Sequence, residues 1–84
     1  MIVSGLVQGV FFRAYTRDQA RQFDIQGWVR NRSDGSVEIV AEGLTSNLKD
    51  FIAWCHHGPP SARVNHVEVD WQEPRDEFNA FEAR

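Results

Sequence analysis

Hydrophobic residues recur with two different periods along this chain, and each change of period predicts a change of secondary structure. The first seven residues are apolar and rich in β-branched side chains, which is typical of a short strand. Between residues 12 and 24, Phe12, Thr16, Ala20 and Phe23 recur at helical spacing. We therefore predict a strand that ends in a turn, followed by an amphipathic helix.

The stretch after this helix predicts a β-hairpin. Residues 25–43 form two strand-like runs on either side of Asp34-Gly35, a dipeptide that suits a tight turn. In the second run, alternate side chains should fall on opposite faces of the sheet. The expected inward set is Val37, Ile39 and Ala41, and the expected outward set is Ser36, Glu38 and Glu42. One face of the sheet is therefore expected to be more polar.

A second helix and two further strands complete the predicted order. Leu48, Phe51, Ile52 and Cys55 follow the i, i+3, i+4, i+7 pattern, with Ser46 as the expected cap and Gly58-Pro59-Pro60 as the stop. Residues 63–72 alternate, with Val67, Val69 and Trp71 opposite His66, Glu68 and Asp70, which predicts a strand. The last residues, "FNAFEAR", form a short final strand.

The order β-α-β-β-α-β-β predicts an α+β fold of the ferredoxin-like, split β-α-β type. Its antiparallel sheet has four core strands plus a short C-terminal strand, and two helices cover one face. At 84 residues the chain is expected to form a single domain over residues 1–84. A net charge of −3 argues against broad electrostatic binding to nucleic acid or anionic lipid.

Other features of the composition favour a cytoplasmic protein. The start of the chain lacks the pattern of a secretory signal, and no stretch is apolar enough to span a membrane. The single cysteine, Cys55, cannot form an internal disulfide. Cys55, His56 and His57 are adjacent, but they lack the spacing of a metal site, so we expect no metal ligands. We expect Trp28, Trp54 and Trp71 to pack in or against the core.

The stretch "SGLVQGVFFR" places glycines where a strand becomes a helix. Backbone N–H groups at a helix start lack intrahelical partners, and the helix dipole favours negative charge there. Gly9 permits close approach of a ligand, and Arg13 adds a planar cation suited to a phosphoryl group. The alternative is that the glycines only turn the chain, while Arg13 lies on a solvated face with Arg17 and Arg21. Both interpretations remain open on the residues alone.

Three segments, "VSGLVQGVFFR", "GWVRN" and "SDGSVEI", closely resemble acylphosphatases, and the similarity extends over nearly the whole chain. The segment "PPSARVNHVEV" also resembles the family after its second helix. The resemblance implies hydrolysis of acyl phosphates to a carboxylate and inorganic phosphate, without a metal or organic cofactor. We expect phosphate to be a competitive ligand, because the loop amides and Arg13 would recognise the tetrahedral anion whatever the acyl group. We also expect the chain to act as a monomer without nucleic acid or membrane partners.

The resemblance also implies roles for individual residues. The implied phosphate-binding loop consists of Gln8, Gly9, Val10, Phe11, Phe12 and Arg13, with Arg13 as the essential arginine. Asn31 is implied to position the attacking water, although an asparagine before a hairpin often only bonds nearby backbone. Leu6 stands where the family often has a basic residue, which would weaken attraction of anionic substrates. Ala83 is smaller than the aliphatic residue expected in the last strand.

Two other functions share this predicted architecture. One is a non-catalytic, anion-binding regulatory module that keeps the loop without turnover. The other is an RNA-recognition-type domain, which shares the β-α-β-β-α-β order. The acidic balance and the sequence "SVEIVAEG" in the third strand, which lacks the RNA-binding consensus, argue against RNA.

Overall fold

The computed structural model describes all 84 residues and contains five strands and two helices. In chain order they are β1 (Ile2–Leu6), α1 (Phe12–Gln22), β2 (Gln26–Asn31), β3 (Val37–Glu42), α2 (Thr45–His57), β4 (Arg63–Glu68) and β5 (Phe81–Ala83). This is the predicted order of elements. Neither helix is long and apolar enough to cross a membrane.

The strands form one sheet in the order β4-β1-β3-β2-β5. The four core strands pair antiparallel, as predicted. The short β5 joins the edge in parallel with β2, so the complete sheet is mixed. Both helices cover the same face, which gives the predicted ferredoxin-like arrangement.

The core lies between that face and the helices. Phe12 of α1, Phe51 of α2 and Phe81 of β5 are almost completely buried, and the Phe51 and Phe81 rings meet edge to face with centroids 6.0 Å apart. Cys55 is fully buried in the same core cluster. One aromatic ring from each helix and one from β5 therefore join the two layers, so the C-terminal strand is part of the core.

The helix boundaries differ slightly from the predicted ones. Helix α1 ends at Gln22, two residues before the predicted Asp24. Helix α2 starts at Thr45 after Leu44, and no side chain caps it. The predicted cap at Ser46 is wrong. A capping residue lies directly before the first helical residue, whereas Ser46 is already the second residue of the helix. The predicted stop is confirmed, since Gly58 follows the last helical residue with a φ of 70°.

The predicted strand over residues 63–72 is shorter in the structure. Strand β4 ends at Glu68, which pairs with Ile2 of β1, and β1 offers no further partner. Alternation alone therefore does not make residues 69–72 a strand. The expected packing of Trp71 is also wrong, because its side chain is 57% exposed, whereas Trp28 and Trp54 are half-buried.

Candidate active site

The loop between β1 and α1 carries backbone groups without partners. Val7 is buried and anchors the loop to the core, and α1 begins at Phe12. None of the backbone N–H groups of residues 8–11 donates a hydrogen bond to an acceptor of the chain. Helix α1 also has no acidic residue in its first turn. The loop therefore offers consecutive donors, next to a helix N-terminus, to an external anion.

Two residues of this loop adopt left-handed backbone conformations. Gly9 has a φ of 74°, and a Cβ built on it would meet no atom within 4 Å. Glycine is thus favoured at position 9 by the left-handed backbone conformation, and not by a lack of space for a side chain. Phe11, directly before α1, has a φ of 61° although it is aromatic, and its side chain is 77% exposed. A bulky exposed residue in this conformation is a strained feature of the kind that clusters at functional sites.

Gln8 fixes the loop to the β2–β3 hairpin. Its side-chain Nε2 donates to the main-chain oxygens of Arg32, at 2.8 Å, and Ser36, at 2.9 Å. The side-chain amide is therefore committed to the protein, and only the Gln8 main-chain N–H remains for a ligand. Sequence reasoning placed Gln8 in the loop but gave no sign of this clamp, because its acceptors are main-chain atoms more than twenty residues away.

The hairpin turn is held by Asp34. Its Oδ1 accepts hydrogen bonds from the Ser36 main-chain N, at 3.0 Å, and from the Ser36 hydroxyl. These two bonds, the hydroxyl one foremost, lower the pKa of the Asp34 carboxyl. The prediction that Ser36 faces the polar side is wrong, since Ser36 is buried. Strand β3 begins only at Val37, so strand alternation does not govern Ser36.

Asn31 is the last residue of β2 and pairs with Val37 at the start of β3. Strand alternation places it on the helix-covered face with Gly27 and Val29. Its side chain is exposed and makes no hydrogen bond within the chain. The alternative in which Asn31 only bonds nearby backbone is therefore not seen in the structure. Because β1 and β3 are antiparallel, the loop after β1 and the hairpin lie at the same end of the sheet.

Arg13 is exposed on the first turn of α1 and contacts the end of β5. Its Nη1 donates to the main-chain oxygen of Arg84, while Arg21, two turns later, donates to the main-chain oxygen of Phe81. Arg13 is therefore not simply solvated. This contact holds the guanidinium beside the helix start and leaves most of its donors available to a ligand.

The segment before β4 brings a further arginine to this end of the sheet. Ser61 donates from its hydroxyl to the main-chain oxygen of Val10 in the loop, at 3.0 Å. Arg63, two residues later, is directly opposite Leu6 in the β1–β4 ladder. No carboxylate lies within salt-bridge distance of Arg63. The end of the sheet that carries the loop is thus rich in arginine, with Arg13, Arg32 and Arg63.

The remaining implied residue, Phe12, contributes differently from its neighbours. Its ring is buried, 6.0 Å from the Trp54 ring, so only its main-chain N–H can face a ligand. No group of three His, Cys, Asp or Glu side chains is arranged to hold a metal. The structure thus brings the implied loop and Asn31 to one end of the sheet, with Arg13 at the helix start.

A family model described as Acylphosphatase matches residues 1–83. The chain belongs to the acylphosphatase family. A curated acylphosphatase of Chloroflexus aurantiacus is 52% identical over 81 residues, covering 96% of this chain and 88% of that protein. One of Anaeromyxobacter dehalogenans is 48% identical over 84 residues, covering all of this chain and 90% of that protein. The resemblance found in the sequence is therefore confirmed.

The fold agrees with that of solved acylphosphatases. The crystal structure of acylphosphatase from Bacillus subtilis superposes with a TM-score of 0.95 at 36% sequence identity. The alignment covers 99% of this chain and 92% of the Bacillus protein. The alignment therefore includes the β1–α1 loop and the β2–β3 hairpin together with the rest of the fold.

Proposed function

We propose that this acylphosphatase hydrolyses acyl phosphates by water attack on a phosphoryl group held in the β1–α1 loop. The reaction breaks the bond between phosphorus and the acyl oxygen and releases a carboxylate and inorganic phosphate. The observation that carries the proposal is the run of main-chain N–H groups at residues 8–11 that have no acceptor in the chain. A phosphoryl group has three peripheral oxygens that accept such bonds.

The loop and Arg13 have related tasks in this scheme. Phosphoryl transfer depends mainly on positioning and on stabilising charge around the reacting phosphorus. Main-chain donors fixed by the Gln8 clamp need no rearrangement when that charge develops. The Arg13 guanidinium adds a permanent positive charge with a planar set of donors. The loop therefore serves to bind phosphate, and Arg13 serves both binding and turnover.

Asn31 has the role of orienting the water. Its side chain is free of bonds within the chain, and its amide can both donate to and accept from a water molecule. The loop contains no carboxylate or histidine that could serve as a general base. The phosphoryl oxygens of the substrate are then the nearest acceptors for the proton of the attacking water.

The substrate and setting complete the proposal. Inorganic phosphate, the product, binds in the same loop and competes with substrate, because the donors recognise the tetrahedral anion and not the acyl group. Turnover is expected to survive treatment with EDTA, because no three His, Cys, Asp or Glu side chains are arranged to hold a metal. The enzyme acts as a monomer in the cytoplasm, and sedimentation and cell fractionation test these two points.

Two substitutions test the assigned roles. Arg13→Ala is expected to weaken phosphate binding and to lower turnover of benzoyl phosphate, because it removes a charge-assisted contact. Asn31→Ala is expected to lower turnover about 100-fold or more while phosphate still binds, because the interaction with water matters mainly in the transition state. Calorimetry measures phosphate affinity, and circular dichroism shows that each variant is folded.

Arg17→Ala and Asn65→Ala are the matched controls, since both residues lie outside the loop and neither side chain forms a hydrogen bond with it. A folded parent protein without turnover above the Arg13→Ala background would exclude the enzyme and favour a binding module. A parent with full turnover and an unaffected Asn31→Ala variant would exclude only the role of Asn31.

A further inference from the structure

Helix α1 buries a hydroxyl group that no other group of the chain satisfies. The three buried residues of this helix, Phe12, Thr16 and Ala20, recur at intervals of four and form the stripe that faces the core. Thr16 is completely buried, and its Oγ1 has no hydrogen-bond partner. A threonine hydroxyl in a helix can bond a carbonyl of the preceding turn, but this one does not. It is the only fully buried side-chain nitrogen or oxygen without a partner.

An unpartnered hydroxyl at this position is unfavourable for folding. Burial removes its hydrogen bonds to water, and nothing replaces them. Valine has nearly the same shape without the polar group, so valine at position 16 would give the more stable core. The other buried polar residue, Ser36, donates its hydroxyl to Asp34. A buried polar group that stays unpaired in the free protein calls for a partner gained in another state, such as the complex with substrate.

The contacts of α1 place Thr16 beside the end of β2 that carries Asn31. The helix packs against β2 and β5. Arg13 donates to the main-chain oxygen of Arg84, whose own main-chain N donates to that of Val29, at 2.8 Å. Thr16 follows Arg13 by one turn and so lies near the level of Val29. Because helical side chains lean toward the helix N-terminus, its hydroxyl is directed toward the loop end of β2. Asn31 is the next side chain on the helix-covered face in that direction.

We propose that Thr16 is a positioning residue that acts on the attacking water through Asn31. In the complex with substrate, the Asn31 side chain turns toward α1, and its Oδ1 accepts a hydrogen bond from the Thr16 hydroxyl. The Asn31 Nδ2 then donates to one lone pair of the water, while the other lone pair faces phosphorus. Thr16 keeps its proton, and the proton of the water passes to a phosphoryl oxygen as before. The inference rests on the proposed role of Asn31 in hydrolysis.

This hydrogen bond would satisfy two groups that are unpartnered in the free protein. The Thr16 hydroxyl gains an acceptor, and the exposed Asn31 side chain, which makes no hydrogen bond within the chain, gains a fixed orientation. An exposed amide that rotates freely holds a water poorly, and phosphoryl transfer depends on the alignment of the nucleophile. Thr16 itself contacts neither the phosphoryl group nor the water. Its effect is therefore expected on turnover and not on phosphate binding.

The test compares Thr16→Val, which removes the hydroxyl, with Thr16→Ser, which keeps it, in the full chain. Thr16→Val is expected to lower kcat for benzoyl phosphate about tenfold, while KM and the phosphate affinity measured by calorimetry stay within about twofold. Thr16→Ser should keep kcat within about threefold of the parent. Stability should change in the opposite order. The Tm of Thr16→Val is expected to rise by about 4 °C, and that of Thr16→Ser to fall, because it loses a buried methyl group.

A double-mutant cycle tests whether Thr16 acts through Asn31. In the Asn31→Ala background, Thr16→Val is expected to change kcat less than twofold, because the group that it positions is gone. Thr45→Val is the matched control, since it removes an exposed threonine hydroxyl from α2, and it should leave kcat unchanged.

Three results would overturn the role of Thr16 in an active parent protein. These are a Thr16→Val variant with parental kcat, a Thr16→Ser variant with the same loss as Thr16→Val, and an equal effect of Thr16→Val with and without Asn31. A parent protein without turnover above the Arg13→Ala background would instead refute the proposed reaction, and this inference with it.

Discussion

Phe11 is an aromatic residue in a backbone conformation that usually selects glycine or asparagine. Its side chain is 77% exposed, so little packing is lost when it is replaced. With a φ of 61°, a β-branched residue at this position is more strained than an asparagine. We expect Phe11→Val to have a free energy of unfolding about 1 kcal/mol lower than Phe11→Asn. Urea denaturation measures the difference, and equal values would mean that the loop relaxes to another backbone conformation.

Arg63 is expected to attract anionic substrates without taking part in the reaction. It lies opposite Leu6 at the end of the sheet that carries the loop, and no carboxylate pairs with it. In water, two unit charges about 10 Å apart interact by a few tenths of a kcal/mol, and an exposed charge beside the loop acts nearly equally on the ground and transition states. Arg63→Gln is therefore expected to raise KM about twofold at low salt without changing kcat.

The control for Arg63 is Lys49→Gln, which removes one positive charge from an exposed side chain of α2, away from the loop. The effect of Arg63→Gln should disappear at 0.5 M NaCl, because salt screens exposed charges beyond a few ångströms. A KM change that persists at high salt, or one that Lys49→Gln reproduces, would contradict this role. In that case Arg63 would not compensate for the basic residue that the family often has in place of Leu6.

Much of the candidate site was visible in the residue types. Glycine at position 9 and arginine at position 13 are compatible with an anion loop, because a strand-to-helix junction leaves donors unpaired, but on the residues alone a simple turn beside a solvated arginine was equally open. The left-handed Phe11 was not predictable, since an aromatic residue carries no signal for that conformation. The free Asn31 side chain was not predictable either, because its type and position favour a backbone bond that the structure does not contain. Only the family resemblance indicated its role.

At the scale of elements, Gly5 lets β1 and β4 approach at a point where the register between them shifts. A Cβ at Gly5 would lie 2.1 Å from the main-chain oxygen of Arg63, which cannot move without breaking the ladder. Gly5→Ala is therefore expected to lower the free energy of unfolding by more than about 3 kcal/mol.

Gly9→Ala is the matched control for Gly5→Ala, because a Cβ at Gly9 meets open space and only the left-handed backbone is strained. We expect a loss of about 1 kcal/mol for that variant, measured by urea denaturation. A Gly5→Ala variant as stable as Gly9→Ala would show that β4 moves away from β1 at little cost.

Local patterns predicted the elements well where the elements depend on local contacts. Both helices and the hairpin follow from spacing, turn residues and stop signals within the segment concerned. The end of β4 and the parallel pairing of β5 with β2 depend on partners about fifty residues or more away. Residues 69–72 thus have the alternation of a strand, but they do not form one because they lack a neighbouring strand to pair with.

At the scale of the whole molecule, charge is unevenly distributed along the sheet. Arg13, Arg32 and Arg63 lie at the phosphate-loop end, while half of the acidic residues line a cavity between β3, α2 and residues 68–78 at the other end. The net charge of −3 conceals this separation. An anion approaching the molecule is repelled by one end and attracted by the other, so the asymmetry favours encounter at the loop. Composition alone could not predict this, because it depends on which strand ends meet.

Cys55 links the stability of the whole molecule to phosphate binding. Its side chain is fully buried in the core, and burial raises the pKa of the thiol to about 12. Because thiol reagents attack the thiolate, the folded protein is expected to react only through opening of the core. Phosphate that binds the folded state alone should slow this reaction by the factor 1 + [phosphate]/Kd, or about elevenfold at ten times Kd.

The labelling rate of Cys55 with iodoacetamide, followed by mass spectrometry, measures this effect at constant ionic strength. Arg13→Ala should be labelled at nearly the same rate with and without phosphate, since it has lost the binding contact, and labelling in urea should not respond to phosphate. If the parent protein reacts quickly and independently of phosphate, α2 must open locally while the loop remains folded. In that case helix α2 is a separate cooperative unit, and the contact between the Phe51 and Phe81 rings does not make the helix and the sheet unfold together.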